Sequence, residues 1–185
     1  SWQRLAEVMH QRQVPEPALR RLRPWAVAMV LSMPRQFSGL ALDLYLQQYA
    51  QRLEKPLYGL ESLEEQLAVF DELSTTEQLQ LLHTTLHQLP ELPALIEALT
   101  NAYLARDLAA MQALVEAQLA IGDVRFNHRF STRLIDDRNL RMLRRMQPRL
   151  REGGAFIAVG AMHLPGERGL LSLLRGRGYE LLAIY

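Results

Sequence analysis

The sequence contains no cysteine. That excludes disulfides, thiolate zinc sites and a cysteine nucleophile. Lysine is almost missing as well: Lys55 is the only one among 21 basic residues, and the rest are arginine. Long apolar runs are lacking. The nearest, Trp25 to Met33, stops at Pro34, far short of the roughly 18 residues that cross a bilayer as a helix. Net charge is also lacking. A formal +1 argues against a general nucleic-acid binder, which gains affinity from a basic surface. No phosphate-binding Gly-rich turn is visible, and neither Ser62 nor Ser172 lies in a nucleophile-elbow context.

What is present suits a globular chain with a core. Hydrophobic residues make up 49%, and the mean hydropathy is -0.09, outside the range of disordered chains. The length of 185 residues fits one domain, 1–185. The chain opens on Ser1 rather than Met. The expectation is a domain whose first part lies upstream, with any export signal there too, so the compartment stays open between exported and cytosolic.

Helical periodicity dominates. Ser1 is placed to cap a helix over Trp2–Arg12, and Pro24 interrupts the next helix, Pro17 to about Met33, giving two short helices or one with a kink. "MPRQFSG" reads as a loop. Residues 40–53 read as a helix with Leu40, Leu44, Leu46 and Leu53 facing inward. "LYGL", residues 57–60, is short and β-compatible. Ser62 with Glu65 forms a capping box for the helix that follows. Residues 75–121 read as an inserted helical hairpin or small bundle, and "GDVRFNHRFS" as a loop. Residues 132–150 read as a helix with Leu134, Ile135, Leu140, Met142 or Leu143, and Met146 inward. "AFIAV", "GERGLLSLLRGRG" and "YELLAIY" then read as strand, helix, strand, a βαβ unit. The expected fold class is helix-rich α/β, a small mixed or parallel sheet with a C-terminal βαβ unit and a helical insertion. So thin a sheet leaves an edge open to a second copy, a route to a homodimer.

In such a fold, ligands gather at the carboxyl ends of strands beside helix N-termini. Gly160 and His163 stand there, in "VGAMHLPGERG". Gly160 permits a close backbone approach to a ligand. An imidazole at His163 can ligate a metal, move a proton or donate to an anion, or simply cap the turn. Glu61 stands at the end of the expected "LYGL" strand and could share the same rim, supplying an oxygen ligand or serving only the helix that follows. Arg138 could pair with a carboxylate or steady an oxyanion, although its neighbours are arginines that read as a solvated face. Asn139 is a poor helix former in mid-helix and could orient a ligand through its amide.

These segments together resemble a known family. "AFIAVGAMHLPGERGLLSLLRGRGYEL" is similar to the closing signature of the TraB/GumN family, itself similar to the Tiki proteases: Gly-x-x-His, Leu-Pro-Gly, a Gly-Leu-Leu helix, then Gly-Tyr. "KPLYGLES" resembles its Lys-Pro-x-x-Gly-Leu-Glu-Thr segment, and "DDRNLRMLRRM" its Asp-Glu-Arg-Asn-x-x-Met helix. Three ordered matches cover residues 55–185. The family carries two Gly-x-x-His motifs, and this sequence has one. The resemblance implies a paired-histidine site with His163 as one half, completed by Glu61, Arg138 and Asn139, with a divalent metal ion held by His163 and Glu61. It implies a metal-dependent hydrolase acting on a peptide or small-molecule substrate. A non-catalytic module on the same scaffold, binding a peptide or small ligand, is the alternative.

One other histidine pattern stands out. "HTTLH" places His83 and His87 four apart on one helix face, the spacing of metal-binding helices. The glutamate that serves zincins as general base is replaced by threonine. The expectation here is an amphipathic helix with two polar-face histidines.

Overall fold

Local chemistry starts the helices where the sequence places them. The computed structural model describes residues 2–34 and 39–184; the expected cap at Ser1 and the expected loop across residues 35–38 lie outside them. Among the described residues the helices are α1 (Trp2–Gln11), α2 (Glu16–Leu19), α3 (Pro24–Ser32), α4 (Leu42–Arg52), α5 (Leu63–Asp71), α6 (Thr75–Gln88), α7 (Leu92–Leu104), α8 (Leu108–Leu119), α9 (Val124–Ser131), α10 (Asp137–Glu152) and α11 (Leu170–Arg175). Ser62 and Ser74 open α5 and α6 through reciprocal capping boxes with Glu65 and Glu77. Asp107 and Asp123 cap α8 and α9 by accepting from the N–H of Ala110 and Phe126. Each such cap satisfies a donor the helix leaves unpaired, worth about 1 kcal/mol.

The chain divides into two units, Ser1–Ser38 with Leu67–Glu97, and Gly39–Gln66 with Ala98–Tyr185. The first unit has an apolar core. Leu5 and Met9 of α1, Leu19 of α2, Val27, Ala28 and Leu31 of α3, and Leu82 of α6 are buried together. The C-terminal half of α5 is fastened to α3 by Trp25, which stacks on Phe70 at 5.5 Å and donates to Asp71, while Arg23 pairs with the same carboxylate at 2.7 Å.

The second unit is organised by α10. Met142, Leu143 and Met146 pack on Leu170 of α11, with Leu60, Ile157 and Val159 against them. A π-helical turn, Thr132–Asp136, runs into α10, and a 3-10 turn, Ala161–His163, precedes α11. Gly169 is obligatory at the entrance to α11: a Cβ there would lie 2.0 Å from the Pro165 carbonyl oxygen.

The expected sheet is overturned. No strand or sheet exists among the described residues, so neither the mixed or parallel sheet nor the βαβ unit stands. Residues 154–160 and 179–184 lie in no helix or strand. Ile157 and Val159 turn inward, whereas Phe156, Leu182 and Ile184 are 80%, 77% and 86% exposed. Apolar alternation predicts which face is buried, but a strand also needs a neighbouring backbone to bond with. "LYGL" fails for the same reason: Leu60 packs on α10 while its backbone lies in no ladder. The open sheet edge that would have paired two copies has no counterpart among the described residues.

Two further expectations change. Residues 124–131, read as a loop, form α9, because Asp123 caps it, Phe126 and Phe130 stack one turn apart, and the Asn127 amide closes the carbonyls of Leu119 and Ile121. In α4 no residue is buried: Leu40, Leu44 and Leu53 are exposed instead of facing a core.

Candidate functional site

Along α10, arginines recur at positions 138, 141, 145 and 149, three or four apart and therefore on one face. All four reach the segment 58–65 or its surroundings. The Arg138 guanidinium grips Glu61 in a fork, its Nε donating to both carboxylate oxygens at 2.9 and 3.0 Å and its Nη2 to Oε2 at 2.7 Å. Arg138 Nη1 also donates to the Leu134 carbonyl. Arg141 approaches the other side of Glu61 at 3.6 Å. Arg145 donates to the Leu60 carbonyl and to both oxygens of Glu65. Arg149 lies over the Tyr58 ring, 4.5 Å from its centroid. The planar guanidinium, with donors in a fixed fork, does what an ammonium could not.

Glu61 is the innermost member, with a side chain 2% exposed against 16% for Arg138. Two guanidiniums face one carboxylate, so the local charge is net positive.

The next residue, Asn139, is fully buried, and its amide settles the state of His163. Asn139 Nδ2 donates to the Arg168 carbonyl at 2.8 Å, which turns Oδ1 toward His163 Nδ1, 2.7 Å away. Turning the amide over would set two carbonyl oxygens against each other. Oδ1 can only accept, so Nδ1 carries the proton and the lone pair sits on Nε2. Burial, and then the nearby Arg138 charge, hold His163 below its ordinary value, with Glu61 opposing. At neutral pH the ring is therefore neutral, the form that ligates metals or accepts a proton. Asp136, at the end of the π-helical turn, faces Arg168 at 3.6 Å; desolvation raises its carboxyl pKa.

The sequence-expected residues thus fall into two contacts, Glu61 with Arg138 and Asn139 with His163, joined through the adjacency of Arg138 and Asn139 and through the electrostatic influence of Glu61 and Arg138 on His163. Gly160 begins the turn that carries His163. A Cβ there would sit at an ordinary 3.6 Å from the imidazole, so no crowding among the described residues demands glycine. Sequence reasoning missed Arg141, Arg145 and the Arg168 carbonyl. The first two were legible as a three-to-four-residue repeat; a backbone carbonyl has no sequence signal. An open groove of about 600 Å³ between α7 and α8, lined by Ala98, Ala102, Ala105, Ala110 and Ala113, shares no lining residue with this group.

Comparison with known proteins gives a consistent picture. The model of the TraB/PrgY/gumN family matches residues 1–182. The chain is 30% identical to metalloprotease TIKI1 of Danio rerio over 87% of its own length and 38% of that protein's. It is 30% identical to metalloprotease TIKI2 of Xenopus tropicalis, over 87% and 36%, and to metalloprotease TIKI1 of Homo sapiens, over 87% and 37%. The chain therefore spans well under half the length of these relatives. No solved structure matches.

Proposed function

The chain belongs to the TraB/PrgY/gumN family, and from that premise we propose that it contributes His163 to a metal-dependent hydrolytic site of the peptidase type. The observation that carries this reading is the Asn139–His163 contact. Metal-binding imidazoles characteristically donate their second N–H to a fixed acceptor, which orients the ring and leaves the other nitrogen for the ion. Here a buried amide does that work, and burial keeps the ring neutral.

His163 fits as one nitrogen ligand. Glu61 fits only if it leaves Arg138, since both its oxygens accept from that guanidinium. No group of three or more His, Asp or Glu side chains able to share an ion exists among the described residues, whereas a hydrolytic zinc takes about three protein ligands. The activity thus needs ligands beyond those described. A bound divalent ion would supply an activated water and a Lewis acid. What these residues contribute by themselves is narrower: Asn139 fixes the ring, Glu61 fixes Arg138, and Arg138 and Arg141 bring positive charge around Glu61, where an oxyanion or a substrate carboxylate is favoured.

The test is divalent-metal titration with melting temperature as readout. We expect the ion to stabilise the full-length protein and His163→Ala to remove that response; an unchanged response in the variant rules His163 out as a ligand. The engagement of both Glu61 oxygens favours one second reading, a non-catalytic module that holds a peptide or small anionic ligand with its guanidiniums. In that case ligand binding survives in His163→Ala and no hydrolysis accompanies it.

A further inference from the structure

We propose a second metal site, outside the Glu61–His163 group: a two-imidazole chelate for a divalent late transition-metal ion, formed by His83 and His87 on α6. The two residues are one helical turn apart, and both are exposed, so their rings leave the same face with Cβ atoms about 5–6 Å apart. From that spacing two ring nitrogens reach the separation of about 3.3 Å that adjacent ligands of a tetrahedral zinc require.

The helix is fixed before any ion arrives. Ser74 and Glu77 close its N-terminus in a capping box, and Leu82, immediately before His83 in sequence, is buried against the α3 core. The chelate therefore orders two side chains and no backbone, which keeps the entropic penalty of binding small. His87 also lies in the last turn of α6, where the helix dipole favours a cation. Imidazole selects Zn²⁺, Ni²⁺ and Cu²⁺ over Mg²⁺ and Ca²⁺. The remaining positions stay with water, so the ion exchanges readily. No carboxylate stands where a zincin helix carries its base; Thr84 follows His83. The site binds without catalysing.

Both histidines belong to the unit containing residues 67–97, whereas His163 belongs to the other. This separates the two metal questions experimentally. Ni²⁺ and Zn²⁺ are titrated calorimetrically into the full chain carrying His163→Asn, then into that variant with His83→Gln or His87→Gln added. We expect the His163→Asn chain to bind one ion. Either further substitution should weaken it on the order of tenfold or more, the scale on which metal sites respond even to losing an outer partner. Mg²⁺ should not compete. Both positions are on the surface, so the variants keep the fold, checked by helical circular dichroism. Undetectable binding by the His163→Asn chain, or binding that survives both glutamines, overturns the chelate and leaves the reading of His163 untouched.

Discussion

The two units of this chain are held by opposite chemistry. In the first, Met9 and Leu31 are completely buried, and the packing of α3 on α6 is hydrocarbon on hydrocarbon. In the second, the small apolar cluster of Met142, Leu143, Met146 and Leu170 is bordered by a lattice of charges and amides: Arg138 on Glu61, Arg145 on Glu65, Asn139 on His163. Hydrocarbon packing is non-directional and tolerates exchanges of similar volume. A lattice of forks and buried amides is directional, and a lost partner leaves another group stranded. Glu61, Arg138, Asn139 and His163 all sit in the directional unit. Such an environment fixes which imidazole nitrogen holds the proton and where a guanidinium points.

The largest effect should come from the hydrocarbon side. Leu31→Ala removes a fully buried side chain and is expected to destabilise by about 3–4 kcal/mol, the lost transfer energy plus the cavity left behind. Trp2 and Trp25 both lie in the first unit, so urea unfolding followed by tryptophan fluorescence reads the change. A loss below about 1 kcal/mol would mean that α3 is not held by packing, and the contrast between the units would collapse.

Next comes the charge lattice. Glu61→Gln leaves Arg138 and Arg141 without a counter-charge and should cost about 2–3 kcal/mol, below the loss typical of a fully buried pair because Arg138 keeps some solvent contact. Hydrogen exchange along α10 is the readout, with Arg138→Met and the double variant completing a cycle. A coupling above about 1 kcal/mol supports a specific pair; additive singles would reduce the fork to two independent surface charges.

How much of this was legible beforehand follows the same divide. Short-range chemistry was readable: the Ser62 capping box, the Pro24 break and the apolar positions of α10 all appear where expected. Failures came where an element depends on a distant partner. "AFIAV" has the alternation of a strand, and Ile157 and Val159 do turn inward, but no neighbouring backbone completes it. Residues 124–131 hid their helix because Asp123 and Asn127 read as loop formers, yet both work as caps. In the site, Glu61, Arg138, Asn139 and His163 were marked by resemblance, not by periodicity. The repeat of Arg141 and Arg145 was in plain view and was read as a solvated face, because nothing local shows that Glu61 and Glu65, some 80 positions earlier, lie opposite.

A smaller and sharper test concerns the amide. Asn139→Asp keeps the shape but replaces a neutral acceptor with a charge and removes the donor to the Arg168 carbonyl. A carboxylate against the ring favours the imidazolium, so the His163 pKa should rise by on the order of one pH unit from its lowered native value. Nuclear magnetic resonance of the ring nitrogens measures it, and also reports whether Nδ1 keeps its proton. An unmoved titration would mean that the amide does not govern the ring.

The smallest effect is expected at Glu65, and its pH dependence carries the information. The Arg145 fork and the Ser62 N–H hold this carboxyl at about 2, below the ordinary 4.5. A depressed carboxyl binds fewer protons in the folded chain than in the unfolded one. Its contribution is therefore complete above the ordinary carboxylate value and fades as pH falls from there through about 2. Glu65→Gln has no proton to take up in that window, so its stability should fall less steeply than that of the parent chain between these limits, with the two curves separated by a constant offset at neutral pH. Because the pair is open to solvent, salt near 1 M should shrink the difference. Equal slopes in low salt would show that Arg145 does not hold Glu65 in solution. The charged grip on the segment carrying Glu61 would then come from Arg138 and Arg141, beside the Leu60 contacts and the Arg149–Tyr58 stack, and the carboxylate part of the lattice would narrow to the contacts nearest His163.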